Sequence, residues 1–318
     1  MNFQKPKFWD YKKPNYIAYL LFPITLLITL NNFLLKIYPK KKSNKIKTIC
    51  VGNIYLGGTG KTPTTLKLYE LLKNLNFKVA TAKKNYPNQQ DEEMLLEKKS
   101  NLIISKERSN IITKAVENGF DLIIFDDGLQ EKKVDYDIKF VCFDSKSWIG
   151  NGFLIPSGPL REKIQSLTKH DGVFLKSSIR DFNSSEKYSE IKNINPKIEI
   201  FNSYVFIKNK NQFNLSNKFI IFSGIGNASS FKETLINNNF NIFKEIIFPD
   251  HHEYKSEEIS KIINFAKKEK AEILTTEKDY LKIPENLKDK INCIEIDLEI
   301  KEKDKLINLI KTKINETY

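Results

Sequence analysis

Cysteine is scarce in this chain of 318 residues. The three cysteines, Cys50, Cys142 and Cys293, lie far apart and form no C-x-x-C pair. This spacing excludes a disulfide framework and a zinc knot. Apolar residues flank each cysteine, as in buried thiols of a reducing compartment, so we predict a cytoplasmic location. A hydrophobic content of 40% with 22 phenylalanines also excludes a mainly disordered chain.

Acidic residues are nearly absent from the N-terminal end. Residues 1–47 contain ten lysines and one acidic residue, Asp10, and therefore carry +9 of the formal net charge of +13. A nucleic-acid-binding protein would be predicted from this charge alone. However, the lysines are concentrated around an apolar stretch, which favours an anionic membrane surface, where each basic residue contributes about 1 kcal/mol. We therefore predict no nucleic acid partner.

A long unbroken apolar run is also absent. Residues 16–38 are mostly apolar, but the uninterrupted part, from Tyr16 to Leu30, has 15 residues and includes Pro23. About 20 apolar residues are needed to cross a bilayer. Lysines stand before this stretch and from Lys40 onward. We predict that residues 1–45 form a membrane-associated segment that lies on the membrane or spans it marginally; a buried core helix is the alternative.

The stretch VGNIYLGGTGKTP, residues 51–63, has the composition of a phosphate-binding loop. It follows a short apolar strand and precedes leucines at helical spacing, which is the context that such a loop requires. It lacks the first glycine of G-x-x-x-x-G-K-[ST], whose place is taken by Tyr55. Backbone N–H groups at a helix N-terminus bind phosphate. The predicted nucleotide-binding residues are Gly57, Gly58, Thr59, Gly60, Lys61 and Thr62.

A second apolar strand ends in two carboxylates. FDLIIFDDG, residues 120–128, places Asp126 and Asp127 at the carboxyl end of the strand, beside the phosphate loop if the sheet is parallel. Lys61 is predicted to reach the outer phosphates of a nucleoside triphosphate. The hydroxyl of Thr62 and the two aspartates are predicted to hold Mg²⁺.

Three further segments contain more glycine, proline and charge than connecting loops need. They are DEEMLLEKK, which begins at Asp91, GNGFLIPSGPLRE at residues 150–162, and FPDHHEY at residues 248–254, with two of the three histidines. Taken singly, each has a structural explanation: a helix cap, turn residues, and surface histidines. Spacing alone assigns none of them a function.

Taken together, the segments resemble a known family. GGTGKTP, DE before an apolar run, DDG-x-Q, GNG-x-L-x-P-x-GPLRE, SGIGN, FPDHH and LTTEKD occur in the order seen in the tetraacyldisaccharide 4'-kinases. The resemblance extends from the apolar N-terminal segment to about residue 283. It implies transfer of the γ-phosphoryl group of ATP, with Mg²⁺, to the 4'-hydroxyl of a tetraacylated glucosamine disaccharide 1-phosphate, a precursor of lipid A.

The resemblance also implies a fold and a location. The expected α/β fold has a P-loop core domain with a mainly parallel sheet at residues 46–210 and a smaller α/β domain at residues 211–318. A β linker, placed at residues 201–213, joins them, and a cleft lies between. The expected location is the cytoplasmic face of the bacterial inner membrane, in contact with its lipid, and we expect a monomer. NCIEIDLEI, residues 292–300, is predicted as one alternating strand.

Site residues follow from the resemblance, position by position. Asp91 and His251 would activate the acceptor hydroxyl, because an imidazole oriented by a carboxylate can remove the proton of a poorly nucleophilic alcohol. His252 stays open as the base. Asn151, Arg161 and Lys84 would bind the acidic disaccharide.

Two stretches depart from the family pattern. Ser-Arg-Gly-Tyr is replaced within AKKNY, residues 82–86, so Lys84 supplies a charge without the bidentate fork of arginine. DDGFQHR is replaced by DDGLQEKK, with Leu129, Glu131 and Lys132, which reverses one charge near an anionic ligand. We expect these changes to affect acceptor affinity or acyl-chain preference but not the chemistry of ATP.

The alternative function is a membrane-attached P-loop ATPase switch that recruits a protein partner. GGTGKT resembles the loops of such switches, but Leu56 stands where they have a lysine. A switch also needs neither the PDHH nor the GPLRE segment.

Overall fold

Strands and helices alternate along the chain in the computed structural model, which describes residues 5–34, 41–42, 45–86, 90–131, 133–180 and 183–315. The described strands build a larger sheet, a smaller sheet and one separate two-stranded pair. The strands of the larger sheet are β2 (Lys47–Gly52), β3 (Val79–Lys84), β4 (Leu102–Ser105), β5 (Leu122–Asp126), β7 (Ile138–Asp144), β8 (Gly172–Ser177), β9 (Glu199–Ile207) and β14 (Ile296–Ile300). Within the described residues these eight strands lie in the order β14-β9-β8-β7-β2-β5-β3-β4. All neighbours are parallel except β14, which pairs antiparallel with β9.

Helices cover both faces of the larger sheet. They are α2 (Lys61–Lys73), α3 (Gln90–Lys99), α4 (Arg108–Glu117), α5 (Ser185–Ile194) and α9 (Lys303–Asn315). The strands consist of near-continuous apolar residues, as expected for a parallel sheet that is buried on both faces. Two apolar cores result, with Phe125 and Phe143 on one face and Phe140, Phe174 and Phe201 on the other. A short pair, β1 (Lys41–Lys42) with β6 (Val134–Asp135), lies apart.

The smaller sheet is entirely parallel. Its strands are β10 (Lys218–Ser223), β11 (Asn241–Ile247), β12 (Ala271–Thr276) and β13 (Asn292–Ile294), and its helices are α6 (Ala228–Asn237), α7 (Ser256–Glu269) and α8 (Glu277–Leu281). The strand order is β11-β10-β12-β13. Phe219 and Phe222 are fully buried on its two faces. The α/β fold with a mainly parallel core sheet, predicted from the sequence, is confirmed.

The connections between the sheets differ from the prediction. Residues 201–207, predicted as linker, are part of β9 in the larger sheet. The predicted single strand NCIEIDLEI is two strands, because β13 joins the smaller sheet and β14 returns to the larger one. Leu306 and Ile310 of α9 then pack in a core of the larger sheet. The division near residue 210 stays a prediction, and residues 296–315 lie with the larger sheet rather than with the smaller one.

The N-terminal segment forms α1 (Tyr16–Leu34) after a 3-10 turn at Lys7–Asp10. Within residues 16–30 of α1, only Ala18 and Thr25 are buried, whereas Leu20 is 76% exposed and Leu27 is 69% exposed. This exposure excludes the buried core helix. None of the described helices combines the length and the apolar character that a bilayer crossing requires. Of the predicted membrane-associated segment, residues 1–4, 35–40 and 43–44 lie outside the described residues.

Candidate active site

The predicted phosphate loop lies between β2 and the N-terminus of α2. Gly57 (φ +141°) and Gly60 (φ +89°) have positive φ values, and α2 begins directly after Gly60. Such backbone angles favour glycine, so the chain can turn tightly enough to aim its N–H groups at one point. A side chain at Gly60 would also collide with Lys176, because a Cβ atom there would lie 2.7 Å from Cδ of that lysine. The loop therefore has the geometry of a phosphate cradle.

Tyr55 explains why the missing first glycine is not needed. The backbone there is extended and pairs with residues 150–162, which we call the acceptor loop. Tyr55 forms an antiparallel bridge with Leu160, and the N–H of Arg161 donates to the carbonyl of Ile54 at 2.7 Å. The Tyr55 hydroxyl donates to Asp10 at 2.5 Å. The first half of the phosphate loop is thus fixed to the acceptor loop and to the N-terminal segment.

Oxygen ligands for a metal ion lie beside the loop. Thr62 Oγ1 donates to Asp126 Oδ2 at 2.9 Å, and Lys61 Nζ lies 3.7 Å from Asp127 Oδ2. Burial raises the pKa of Asp127, but the charges of Lys61 and Arg161 outweigh this effect and lower it below its ordinary value. The described residues contain no cluster of three or more His, Cys, Asp or Glu side chains that could hold a metal alone.

One hydroxyl and two carboxylates nevertheless fit Mg²⁺ in a nucleotide site. This ion binds hard oxygen ligands and usually takes one or two carboxylates from the protein, with phosphate oxygens and water supplying the rest. Thr62 Oγ1 and Asp126 Oδ2 offer such oxygens 2.9 Å apart, and Asp127 Oδ2 lies 3.7 Å from Nζ of Lys61 in the phosphate loop.

Asp91 and His251 meet between the two sheets. Asp91 lies in the first turn of α3, and its Oδ1 lies 2.8 Å from Nδ1 of His251, which follows β11. The carboxylate is buried and the imidazole partly exposed, at 2% and 23% of their side-chain surfaces. Because Nδ1–H donates to Asp91, the neutral ring carries its free lone pair on Nε2. That nitrogen is available to accept a proton.

Hydrogen bonding and nearby charges shift the pKa values of both members of this pair. The hydrogen bond to Asp91 raises the pKa of His251 above its ordinary value, although burial opposes the shift. Burial raises the pKa of Asp91, but the hydrogen bond from His251 and the charge of Lys278 lower it overall. His252 is different: its Nε2 lies 3.0 Å from Glu258, and its ring stacks on Phe248. The structure therefore favours His251 over His252 as a base.

A single cleft of about 1700 Å³ contains the phosphate loop, Asp91, Asp127, Arg161 and His251. Arg161 Nη1 lies 3.2 Å from Asp127 Oδ2, so the acceptor loop reaches the proposed metal site. The geometry brings together a phosphate cradle, oxygen ligands and an oriented imidazole. Such a set can transfer a phosphoryl group to an alcohol.

Two of the residues predicted to bind the disaccharide lie elsewhere. Asn151 is buried, its Nδ2 donates to the carbonyl of Ser157 at 3.0 Å, and its Oδ1 accepts from the N–H of Phe153 at 3.1 Å. It stabilises the acceptor loop and does not line the cleft, contrary to the prediction. Lys84 also lies outside the lining of the cleft, with its Nζ 5.5 Å from the ring centre of Tyr86.

The departures at residues 129–131 are compensated within the protein. Glu131, which reverses a charge of the family pattern, accepts from Arg108 Nη1 at 2.7 Å. Arg108 Nη2 also donates to the backbone carbonyl of Asp127 at 2.5 Å. Leu129 packs in the core against Gly52. A Cβ atom at Gly52 would lie 2.6 Å from Cγ of Leu129, so the leucine occupies the space beside this glycine. Lys132 lies outside the described residues.

Sequence reasoning missed several buried charges at this site. Lys83, next to the predicted Lys84, is only 2% exposed and forms ion pairs with Glu92 and Asp126. Lys278 of α8 pairs with the other oxygen of Glu92 at 2.5 Å. One sequence signal does indicate burial of Lys83. It lies near the end of a strand whose preceding residues, Val79 to Ala82, do not alternate between apolar and charged side chains as a surface strand would.

Comparison with known proteins agrees with this geometry. The profile of the family described as Tetraacyldisaccharide-1-P 4'-kinase matches residues 17–315. A tetraacyldisaccharide 4'-kinase of Pelagibacter ubique is 42% identical over 316 residues, covering 99% of both chains. The enzyme of the same name from Rickettsia akari is 36% identical, covering 95% of this chain and 94% of the relative.

A solved structure shows the same fold. LpxK from Aquifex aeolicus, in complex with ATP, superposes with a TM-score of 0.68 at 22% identity, covering 94% of this chain and 99% of the other. The likeness extends over both sheets, since nearly the whole of each chain is aligned.

Proposed function

The chain belongs to the tetraacyldisaccharide-1-P 4'-kinase family, and we propose that it transfers the γ-phosphoryl group of ATP to the 4'-hydroxyl of tetraacyldisaccharide 1-phosphate. It is accordingly an ATP-dependent kinase of lipid A biosynthesis. The observation that carries the proposed mechanism is the position of Asp91 and His251 in the same cleft as the phosphate loop.

Residues 57–62 bind the triphosphate in this proposal. The loop N–H groups hold the phosphate oxygens, and Lys61, whose Nζ points towards Asp127, balances charge on the outer phosphates. Thr62, Asp126 and Asp127 hold Mg²⁺ directly or through water. When bound there, Mg²⁺ would supply positive charge that balances the outer phosphates.

His251 is the general base. Its Nε2 takes the proton of the 4'-hydroxyl while the hydroxyl oxygen bonds to the γ-phosphorus. The bond from that phosphorus to the bridging oxygen of ATP breaks, and ADP leaves with the electron pair. Asp91 holds Nδ1–H, which keeps the ring in the required tautomer and stabilises the imidazolium that forms. Arg161 binds phosphate or sugar oxygens of the acceptor.

The membrane supplies the acceptor. The exposed apolar side chains of α1, among them Leu20 and Leu27, lie on the cytoplasmic leaflet of the inner membrane in this proposal. Tyr19 and Phe22 of the same helix contact Phe153 of the acceptor loop, with ring centres 5.6 and 5.3 Å apart. An acylated sugar bound beside α1 would therefore face the acceptor loop. One chain supplies the whole cleft, so we propose a monomer.

Transfer of radiolabelled phosphate tests the proposed function. Purified protein, detergent and [γ-³²P]ATP should label tetraacyldisaccharide 1-phosphate, and Lys61→Met should not. Absence of labelled lipid from a folded protein that binds ATP would contradict the proposal. ATP hydrolysis stimulated by a protein partner, but not by the lipid, would favour the switch instead.

A further inference from the structure

Two buried polar atoms face each other across the boundary between the sheets without a hydrogen bond. They are Asp91 Oδ2 of α3 and Nζ of Lys282, the residue that ends α8. They lie 3.6 Å apart, and the two side chains are 2% and 11% exposed. The other oxygen of Asp91 already accepts hydrogen bonds from His251 and from the N–H of Glu92. Lys282 is thus the cation in contact with the second oxygen of this carboxylate.

The ammonium group of Lys282 is held in place on its own side. It lies 3.3 Å from Oδ1 of Asp279 and 5.5 Å from the ring centre of Tyr254. Asp279 is fully buried and accepts hydrogen bonds from the N–H of Gly224 at 3.1 Å and from the Tyr254 hydroxyl at 2.9 Å. A lysine with these neighbours is not a solvated surface charge. Its position is fixed by the smaller sheet, while Asp91 belongs to the larger one.

We propose that Lys282 is a positioning residue for the general base: it holds Asp91 through Oδ2 and opposes the charging of the imidazole. The inference rests on the proposed function of His251. Removal of Lys282 would leave one carboxylate oxygen buried without a partner. Oδ1 would still accept from Nδ1 of His251 and from the N–H of Glu92, so the imidazole would face a carboxylate whose charge is no longer partly balanced by a neighbouring ammonium group.

The surrounding charges define the electrostatic part of the role. His251 faces Asp91 and Glu92 from α3, and Asp250 on its own loop, whose Oδ2 lies 3.7 Å from Nε2. The cations whose charges lower the pKa of Asp91 come from α8 and from the residue that follows it, Lys278 and Lys282. Tyr254 and Asp279 lie behind Lys282, and His252 with Glu258 lies on the far side of the loop.

Lys278 cannot replace Lys282. Its Nζ forms its ion pair with Glu92 at 2.5 Å, and Glu92 also pairs with Lys83. Without Lys282, the carboxylates of Asp91 and Asp250 would stabilise the imidazolium with one fewer opposing charge. The pKa of His251 should then rise, so that a smaller fraction of the base is neutral near pH 7.

Histidine NMR of the full chain measures this effect without reference to turnover. The sequence has three histidines, so ¹³C labelling of the rings gives at most three titrations, and the signal that His251→Ala removes identifies His251. We expect Lys282→Met to raise the pKa of His251 by about one unit. The midpoint of the acidic limb in the plot of kcat against pH should move to higher pH by the same amount. Lys282→Arg should return the pKa of His251 and this midpoint to their wild-type values.

Lys288→Met is the matched control. Lys288 has the same two kinds of contact, an ion pair with Glu285 at 2.6 Å and a ring, that of Tyr280, at 5.7 Å, and it plays no part in the cleft. The Lys288→Met variant should leave the pKa of His251 and the dependence of kcat on pH unchanged. Should Lys282→Met not fold, as judged by thermal unfolding, Lys282→Gln takes its place.

The outcomes separate the two hypotheses. Suppose that the wild-type profile has an acidic limb and that His251→Ala loses it. If the midpoint of that limb is then unchanged in folded Lys282→Met or Lys282→Gln, the role of Lys282 alone is overturned. A shift as large in Lys288→Met would also overturn it. A wild-type profile that does not depend on His251 would instead contradict the proposed base.

Discussion

Asp91 and His251 are 160 residues apart in the sequence, and Oδ1 of the first lies 2.8 Å from Nδ1 of the second. The aspartate comes from a helix on the larger sheet, and the histidine comes from the loop after β11 of the smaller sheet. The pair therefore exists only when the two sheets are packed together. In the proposed mechanism, this packing brings the group that removes the proton into the same cleft as the phosphate loop.

The pH dependence of turnover should report this pair. The hydrogen bond to Asp91 raises the pKa of His251 above the ordinary value of 6.5. Since the base must be neutral, turnover is full above the raised pKa and is lost as the pH falls through it. We expect the midpoint of the acidic limb of kcat above pH 6.5. Asp91→Asn should move the limb downward and lower kcat roughly 100-fold. A midpoint at or below the ordinary value in the wild type would contradict the assigned contact.

Thr62 should matter for metal binding more than for folding. Its hydroxyl donates to Asp126 beside the phosphate loop. Thr62→Ala removes one oxygen ligand and frees the orientation of the carboxylate, so we expect Mn²⁺ affinity in the presence of ADP to fall about tenfold. Electron paramagnetic resonance of free Mn²⁺ measures this change. Thr64→Ala, which removes a hydroxyl bonded to the Gly60 carbonyl, is the control. Equal losses in both variants would argue against a metal role for Thr62.

Substitutions of Asn151 and Arg161 should have different effects although both residues are in the acceptor loop: the first should lower stability, and the second should raise the KM for the lipid. The Asn151 amide is used inside the loop, so Asn151→Ala should lower the free energy of unfolding by about 1–3 kcal/mol and leave the KM for the lipid nearly unchanged. Arg161 lines the cleft, so Arg161→Ala should raise that KM about tenfold or more. Denaturant unfolding and lipid titration distinguish the two. A large KM effect in a stable Asn151 variant would return that residue to the acceptor site.

Local patterns predicted the strand, the glycine turn and the helix around the phosphate loop. Glycines before a lysine and a hydroxyl, between an apolar strand and a helix, specify a phosphate loop, because backbone angle and helix dipole are local properties. The strand that ends in Asp126 and Asp127 was found for the same reason. Sequence spacing did not join Asp91 to His251; only the family resemblance did, since their contact depends on how two sheets pack.

Tertiary contacts explain what the sequence could not provide. A buried lysine such as Lys83 is stable only because two carboxylates from other elements surround it, and no local pattern records them. The family resemblance predicts that Asn151 binds the disaccharide, whereas its amide donates to the carbonyl of Ser157 within the acceptor loop. The alternation in residues 292–300 indicated extended backbone but did not indicate that β13 and β14 are separate strands in different sheets.

The exposed face of α1 should determine association with membranes. Leu20 and Leu27 are 76% and 69% exposed, and their apolar surface would be removed from water on an interfacial membrane site. Replacing both with serine should weaken partitioning onto anionic phospholipid vesicles about tenfold or more. Ile247→Ser, at a site 63% exposed but outside α1, should leave partitioning unchanged. Equal partitioning of all three proteins in a sedimentation assay would contradict the assignment of this face.

The most direct test of the account is single-turnover phosphate transfer by His251→Ala. The variant should bind ATP as tightly as the wild type, because His251 lies outside the phosphate loop, but should transfer phosphate to tetraacyldisaccharide 1-phosphate about 100-fold or more slowly. His252→Ala, whose imidazole bonds to Glu258, should transfer within a few-fold of the wild-type rate. A His251→Ala protein that transfers phosphate as fast as the wild type would contradict the assignment of the base.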